Sequence, residues 1–141
     1  MRLLETLHDL WAAHTALNAE LDSTRVFTGL NFTLEPPYAV ILKDSDFYVA
    51  QDNNDQAVDT IGVTIQVFHE NHDAGARIVD RIKACYNRKH FTLNTSSSSS
   101  GEESDRVIAM QRQSDSEIQE EDGIWRFVVG WTVSVFLREG Y

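Results

Sequence analysis

The chain has 141 residues, with 12 Lys+Arg against 22 Asp+Glu, and a formal net charge of −10. At 42% hydrophobic and 10% aromatic residues it is too apolar for a disordered chain, and no apolar run approaches the roughly 18 residues that a membrane helix needs. A soluble globular protein is expected, one domain over residues 1–141, large enough to bury about two thirds of its unfolded surface.

Glu5 and Asp9 fall where a signal peptide would need an apolar core, so secretion is not expected. The single cysteine, Cys85, fits a reducing compartment and reads as core filler. A net negative charge argues against a protein that grips phosphates, because nucleic-acid affinity comes mainly from Lys and Arg. The excess is also localised. Asp44 to Asp59 holds five acids and no base, and Glu102 to Asp122 holds eight acids and two bases, leaving nine acids and ten bases elsewhere.

In chain order, Leu3, Leu7, Leu10, Leu17 and Leu21, flanked by Leu4 and Trp11, predict one amphipathic helix from Arg2 to Leu21 with His14 in a gap of the stripe. Arg25 to Thr28 reads as a short strand. Pro36-Pro37 keeps the backbone extended into a second strand, Tyr38 to Leu42. Lys43 to Asp59, which contains Gln51-Asp-Asn-Asn-Asp55, reads as an exposed loop or hairpin tip.

Val58 to His69 alternates, with Ile61, Val63, Ile65 and Val67 on one side, and predicts a half-buried strand. Asp73 is the expected N-cap of a second helix reaching about Arg88. Its apolar face is Ile78, Val79, Ile82, Cys85 and Tyr86, and Arg77, Arg81, Lys83, Arg88 and Lys89 make its polar side basic. Thr95 to Ser104, with five consecutive serines, reads as a flexible loop inside the domain.

Val107 to Gln113 is a further strand, followed by an expected acidic turn from Ser114 to Gly123. Ile124 to Arg138 then alternates, with Trp125, Phe127, Val129, Trp131, Val133, Val135 and Leu137 on one face. At about 3.3 Å per residue, Trp125 to Leu137 spans about 40 Å, so part of this strand is expected to project or pair outside the monomer. The predicted fold is α+β: a mostly antiparallel sheet of four to five strands, two helices on one face and a long C-terminal strand. Trp125 and Trp131 should lie beneath the helices, while the opposite face near Val128 and Phe136 should meet another chain.

Catalytic and metal signatures are weak. His69-Glu-Asn-His72 holds two histidines and a carboxylate, but three apart at a strand-to-helix junction and not four apart on a helix. Asp44, Asp46, Asp52 and Asp55 lack the register of a calcium loop. No dinucleotide-binding, phosphate-cradling or nucleophile-elbow motif occurs. No catalytic residue, metal or cofactor is therefore expected. The competing reading is a small metal- or ligand-binding enzyme that uses His14, His69 or His72.

The order of elements and the local sequence together resemble the tail-completion (tail-terminator, head-to-tail joining) proteins of long-tailed bacteriophages. The matching features are the leucine-rich first helix, Ser23-Thr-Arg-Val-Phe-Thr-Gly29, Pro37-Tyr-Ala-Val-Ile41, Ile61-Gly-Val-Thr-Ile-Gln-Val-Phe68, Ala76-Arg-Ile-Val-Asp-Arg-Ile82 and Trp125-Arg-Phe-Val-Val-Gly-Trp-Thr-Val133.

The resemblance implies a virion protein at the tail-neck junction, assembled in the host cytoplasm as a ring, usually a hexamer, on the finished tail tube. Its partners would be copies of itself, the tube protein, a neck or head-completion protein and, in contractile tails, the sheath, with DNA passing through without specific binding and no membrane involved. A head-closure adaptor of the neck is the nearest alternative.

A ring needs two different contact surfaces on each subunit. The acids Glu117, Glu120, Glu121 and Asp122 and the bases Arg77, Arg81 and Lys83 offer opposite signs for such a contact. Acidic side chains also repel DNA phosphates, so the segment from Glu102 to Asp122 is expected to face the lumen or a neighbouring subunit.

Overall fold

The computed structural model describes residues 3–29, 35–51, 57–87, 91–92 and 106–137. The elements are α1 (Leu3–Ala13), α2 (Thr15–Glu20), a 3-10 turn at Ser23–Arg25, β1 (Val26–Phe27), β2 (Tyr38–Gln51), β3 (Ala57–His69), α3 (His72–Tyr86), β4 (Phe91–Thr92), β5 (Arg106–Gln119) and β6 (Trp125–Leu137). They form an α+β fold around one six-stranded sheet in the order β1-β2-β3-β6-β5-β4, and only the two-residue β1 pairs in parallel.

The predicted first helix is broken. His14 leaves helical geometry at φ −86°, ψ 103°, and its Nδ1 accepts from the Leu17 amide at 3.2 Å, so this side chain caps α2. The break turns Leu17 and Leu21 into the same core as Leu3, Leu7 and Trp11, while Leu10 is only partly buried. Trp11, and not Leu10, continues the stripe, and its indole N–H donates to the Leu21 carbonyl at 2.8 Å. The chain then enters the sheet past Arg25, whose Nε donates to the Pro37 carbonyl at 3.1 Å.

Most of the expected acidic loop after Lys43 is strand. β2 and β3 are the arms of one hairpin, paired from Tyr38↔Phe68 to Gln51↔Ala57, and only residues 52–56 at its tip lie outside the described set. The acidic turn shrinks in the same way. Ser114 to Gln119 belongs to β5, and the reversal is confined to residues 120–124, closed by Glu120 N–H to the Ile124 carbonyl (2.8 Å) and Gly123 N–H to the Glu120 carbonyl (2.9 Å). Gly123 has φ +85°, a left-handed conformation that glycine adopts without a Cβ penalty. Both segments are polar enough to pass for loops, and what makes them strand is backbone pairing with a neighbour. The polyserine segment lies outside the described residues.

β6 does not pair outside the monomer along its length. It is an interior strand, bonded to β3 from Trp125↔His69 to Leu137↔Ala57 and to β5 from Trp125↔Gln119 to Phe136↔Arg106. Its length is absorbed by two equally long neighbours.

All three helices pack on one face of the sheet. The core joins Leu3, Leu7, Trp11, Ile78, Ile82 and Tyr86 to Ile61, Val63, Ile65 and Val67 of β3 and to Phe127, Val129, Trp131, Val133 and Val135 of β6. Tyr86, fully buried, donates its hydroxyl to the Leu7 carbonyl and meets Trp131 edge-on at 6.2 Å, tying α3 to α1 and the sheet. Burial pushes its pKa well above the ordinary tyrosine value. Cys85 is buried beside it, with Sγ 3.8 Å from the Leu10 carbonyl.

α3 starts at Asn71, whose side chain accepts from the Ala74 amide at 2.9 Å; the expected cap, Asp73, instead sits in the first turn, where the helix dipole favours an acid. The helix approaches the sheet closely at Gly75, where a Cβ would stand 2.2 Å from Cε1 of Phe127. Gly75→Ala is therefore expected to cost about 1–3 kcal/mol through displacement of the Phe127 ring, read as a lower midpoint in chemical denaturation.

Candidate functional site

α3 packs over β3 and β6, and β5 lies beside it. Two register shifts, between Val107 and Ala109 and between Arg112 and Ser114, place Val107, Met110, Arg112, Asp115 and Glu117 opposite the core residues Val135, Val133, Trp131, Val129 and Phe127. Val107 and Met110 are buried there, whereas every residue from Gln111 to Gln119 is exposed. The helix-side face of β5 thus changes from apolar to charged along one strand.

Those charges meet α3. Lys83 forms an ion pair with Asp115, and His72 Nε2 lies 3.1 Å from a Glu117 carboxylate oxygen, with its Nδ1 3.4 Å from Asp73. The His72 ring also meets Trp125 edge-on at 4.6 Å and Phe127 at 5.6 Å. Arg77 reaches Glu20 of α2 at 3.7 Å, and Glu120 pairs with Arg126 at 3.0 Å.

Of the expected contact residues, Arg77, Lys83, Glu117 and Glu120 are therefore engaged within the chain. Arg81 and Glu121 are exposed, with no ion-pair partner among the described residues. Asp122 is exposed at the turn and accepts from the Ile124 amide at 3.1 Å. Val128 lies half-buried on the sheet face opposite the helices. Phe136 shares its register parity, but its side chain is outside the described set.

That opposite face has no helix on it among the described residues. Across the four long strands it presents Tyr38 stacked on Phe68 at 4.7 Å, then Val40 and Val128, then Thr64, Gly130 and Ser114, then Gly62 and Thr132. Thr64 donates to Asp44 on this side. Ile118 of β5 is its most exposed large apolar residue, at 48%.

The histidines form no ligand set. His69 Nδ1 accepts from the Asn71 amide at 3.0 Å, whereas His72 is turned to Glu117 and Asp73, and no three His, Cys, Asp or Glu residues among those described group as metal ligands. Among the described residues no helix is long and apolar enough to cross a membrane.

Two features escape a sequence reading. Arg112 lines a polar cleft of about 320 Å³ with Asn87, Gln111 and Gln113, and the His72–Glu117 contact spans 45 residues. The only sequence signal is the charged run Arg112 to Glu117, and the bulge within it hides which residues share a face.

No protein-family model matches this sequence, and no curated protein does. Solved structures do share the fold: a chain in the virion of a native gene transfer agent particle superposes with a TM-score of 0.70 over 96% of this chain and 95% of that one, at 12% identity.

The His72 contact has a measurable signature. Hydrogen bonds that the His72 ring donates to Glu117 and then to Asp73 raise its pKa above the ordinary 6.5. A raised folded-state value means that this contact stabilises fully below pH 6.5 and is lost as pH rises through the higher value. Glu117→Gln is expected to return the His72 titration toward 6.5, followed by NMR of the imidazole protons.

Proposed function

We propose that this chain is a structural virion protein that forms a ring on the end of a phage tail tube, ends tube polymerisation and joins the tail to the neck. The observation that carries this reading is the shared fold with the gene transfer agent virion chain, over nearly the whole length of both. The resemblance in sequence pattern to tail-completion proteins narrows the class from virion component to tail end. A hexamer, the tube and neck proteins as partners, a sheath where the tail contracts, and a location at the tail-neck junction come with that narrowing. No catalytic role is part of it.

The surface suits assembly. A sheet face without a helix among the described residues and a long, charged outer strand offer surface for contacts with other chains. Engaged acids on β5 and a net charge of −10 give a surface that lets DNA slide past. A head-closure adaptor of the neck is the second reading, because it too would be a small ring-forming virion subunit.

Native mass spectrometry of the purified protein is expected to give a closed oligomer, with six copies the favoured number by resemblance. Phe136→Asp should leave the chain folded by circular dichroism while weakening that oligomer. A monomer at every concentration would contradict the ring.

A further inference from the structure

Within the ring just proposed, the outer edge of β5 offers a specific docking point. Arg112 stands on the helix-side face of this strand, where register pairs it with the buried Trp131. It lines the 320 Å³ cleft together with Asn87, Gln111 and Gln113, and is the only charged residue there among the described residues. It has no ion-pair or hydrogen-bond partner among the described residues, unlike Lys83 and His72, which close the rest of this margin onto Asp115 and Glu117.

β4 bonds to β5 only at Val107 and Arg106, so among the described residues no strand pairs with the outer side of β5 from residue 109 onward. A guanidinium fork, the polar residues beside it and a strand edge unpaired among the described residues together form a receptor for a carboxylate-bearing segment of another chain.

The same subunit carries a matching donor of carboxylates. Glu121 and Asp122 sit exposed at the apex of the β5–β6 turn. That turn is held rigid by two backbone hydrogen bonds and by the Asp122 side chain on the Ile124 amide, so docking it orders little that is not ordered already. Arg112 and this apex are separated along the strand by about 30 Å, too far to meet within one chain.

We infer that the Arg112 cleft of one copy receives the Glu121–Asp122 turn of the next copy, giving a head-to-tail contact. Each subunit then presents one cleft and one turn. Such a heterologous contact closes only as a ring or runs on as a filament. The inference rests on the ring reading for its setting, but it assigns the contact to specific residues.

Charge swapping tests it. Arg112→Glu and Glu121→Arg, made separately, are each expected to raise the concentration at which the oligomer dissociates by about tenfold or more, measured by sedimentation velocity. Both residues are exposed, and circular dichroism should show both variants folded. The double variant Arg112→Glu/Glu121→Arg restores complementary charge at every contact and should recover most of the lost assembly.

If the wild-type protein assembles and both single variants assemble equally well, the contact is wrong while the ring stands. Weakened single variants with no recovery in the double variant also overturn the pairing. A wild-type chain that stays monomeric overturns the ring and this contact together.

Discussion

Between Phe127 and Val135 five alternate side chains of β6 are buried, and this single face of one interior strand organises the molecule. With a side-chain period of two, a slip of one residue against β3 would expose Trp131 and Val133 and bury Thr132 and Arg126. The register is held from both sides, by thirteen paired positions on β3 and by β5. α3 settles on that face because Gly75 lets its first turn approach Phe127, and α1 reaches it through the Tyr86 hydroxyl.

The outward character of the protein follows from α3 lying over β3 and β6, with β5 beside it. Along α3, β5 is exposed on both faces, and its helix-side charges pair with α3 or, for Arg112, have no partner among the described residues. A long outer strand, unpaired on its outer side from residue 109 onward among the described residues, carries a standing risk of indiscriminate pairing. Charges on β5 and its register shifts limit that risk, while leaving a small number of sites with defined geometry. The ring proposed for this chain would use such sites, because it requires two unlike surfaces on each subunit.

Much of the fold was legible from periodicity. Ile61 to Val67 and Trp125 to Leu137 declare their strands, and Ile78 to Tyr86 declares α3, because each buries one regular face. The break at His14 was not legible, since the leucine spacing passes smoothly across it and the decisive event is a side chain capping its own backbone three residues on. The outer halves of β2 and β5 were missed for a different reason. Asp44, Asp46, Asp115 and Glu117 lie on strands held by backbone pairing with a neighbour, and composition does not report that pairing.

Candidate contact residues were only partly legible. Sequence singled out the acids near Glu117 to Asp122 and the bases of α3, and several of these prove to be engaged within the chain by other residues: Lys83 by Asp115, Glu117 by His72 and Glu120 by Arg126. Arg112 drew no notice because its significance depends on the bulge beside it and on the end of α3 at Asn87.

The central claim, a ring at the end of the tail, is most directly tested by imaging phage particles and assembly intermediates that carry a labelled form of this chain. Label at one end of isolated, completed tails and at the head-tail junction of whole particles is the expected result. Label on filled heads that lack tails, or along the length of the tube, would contradict it.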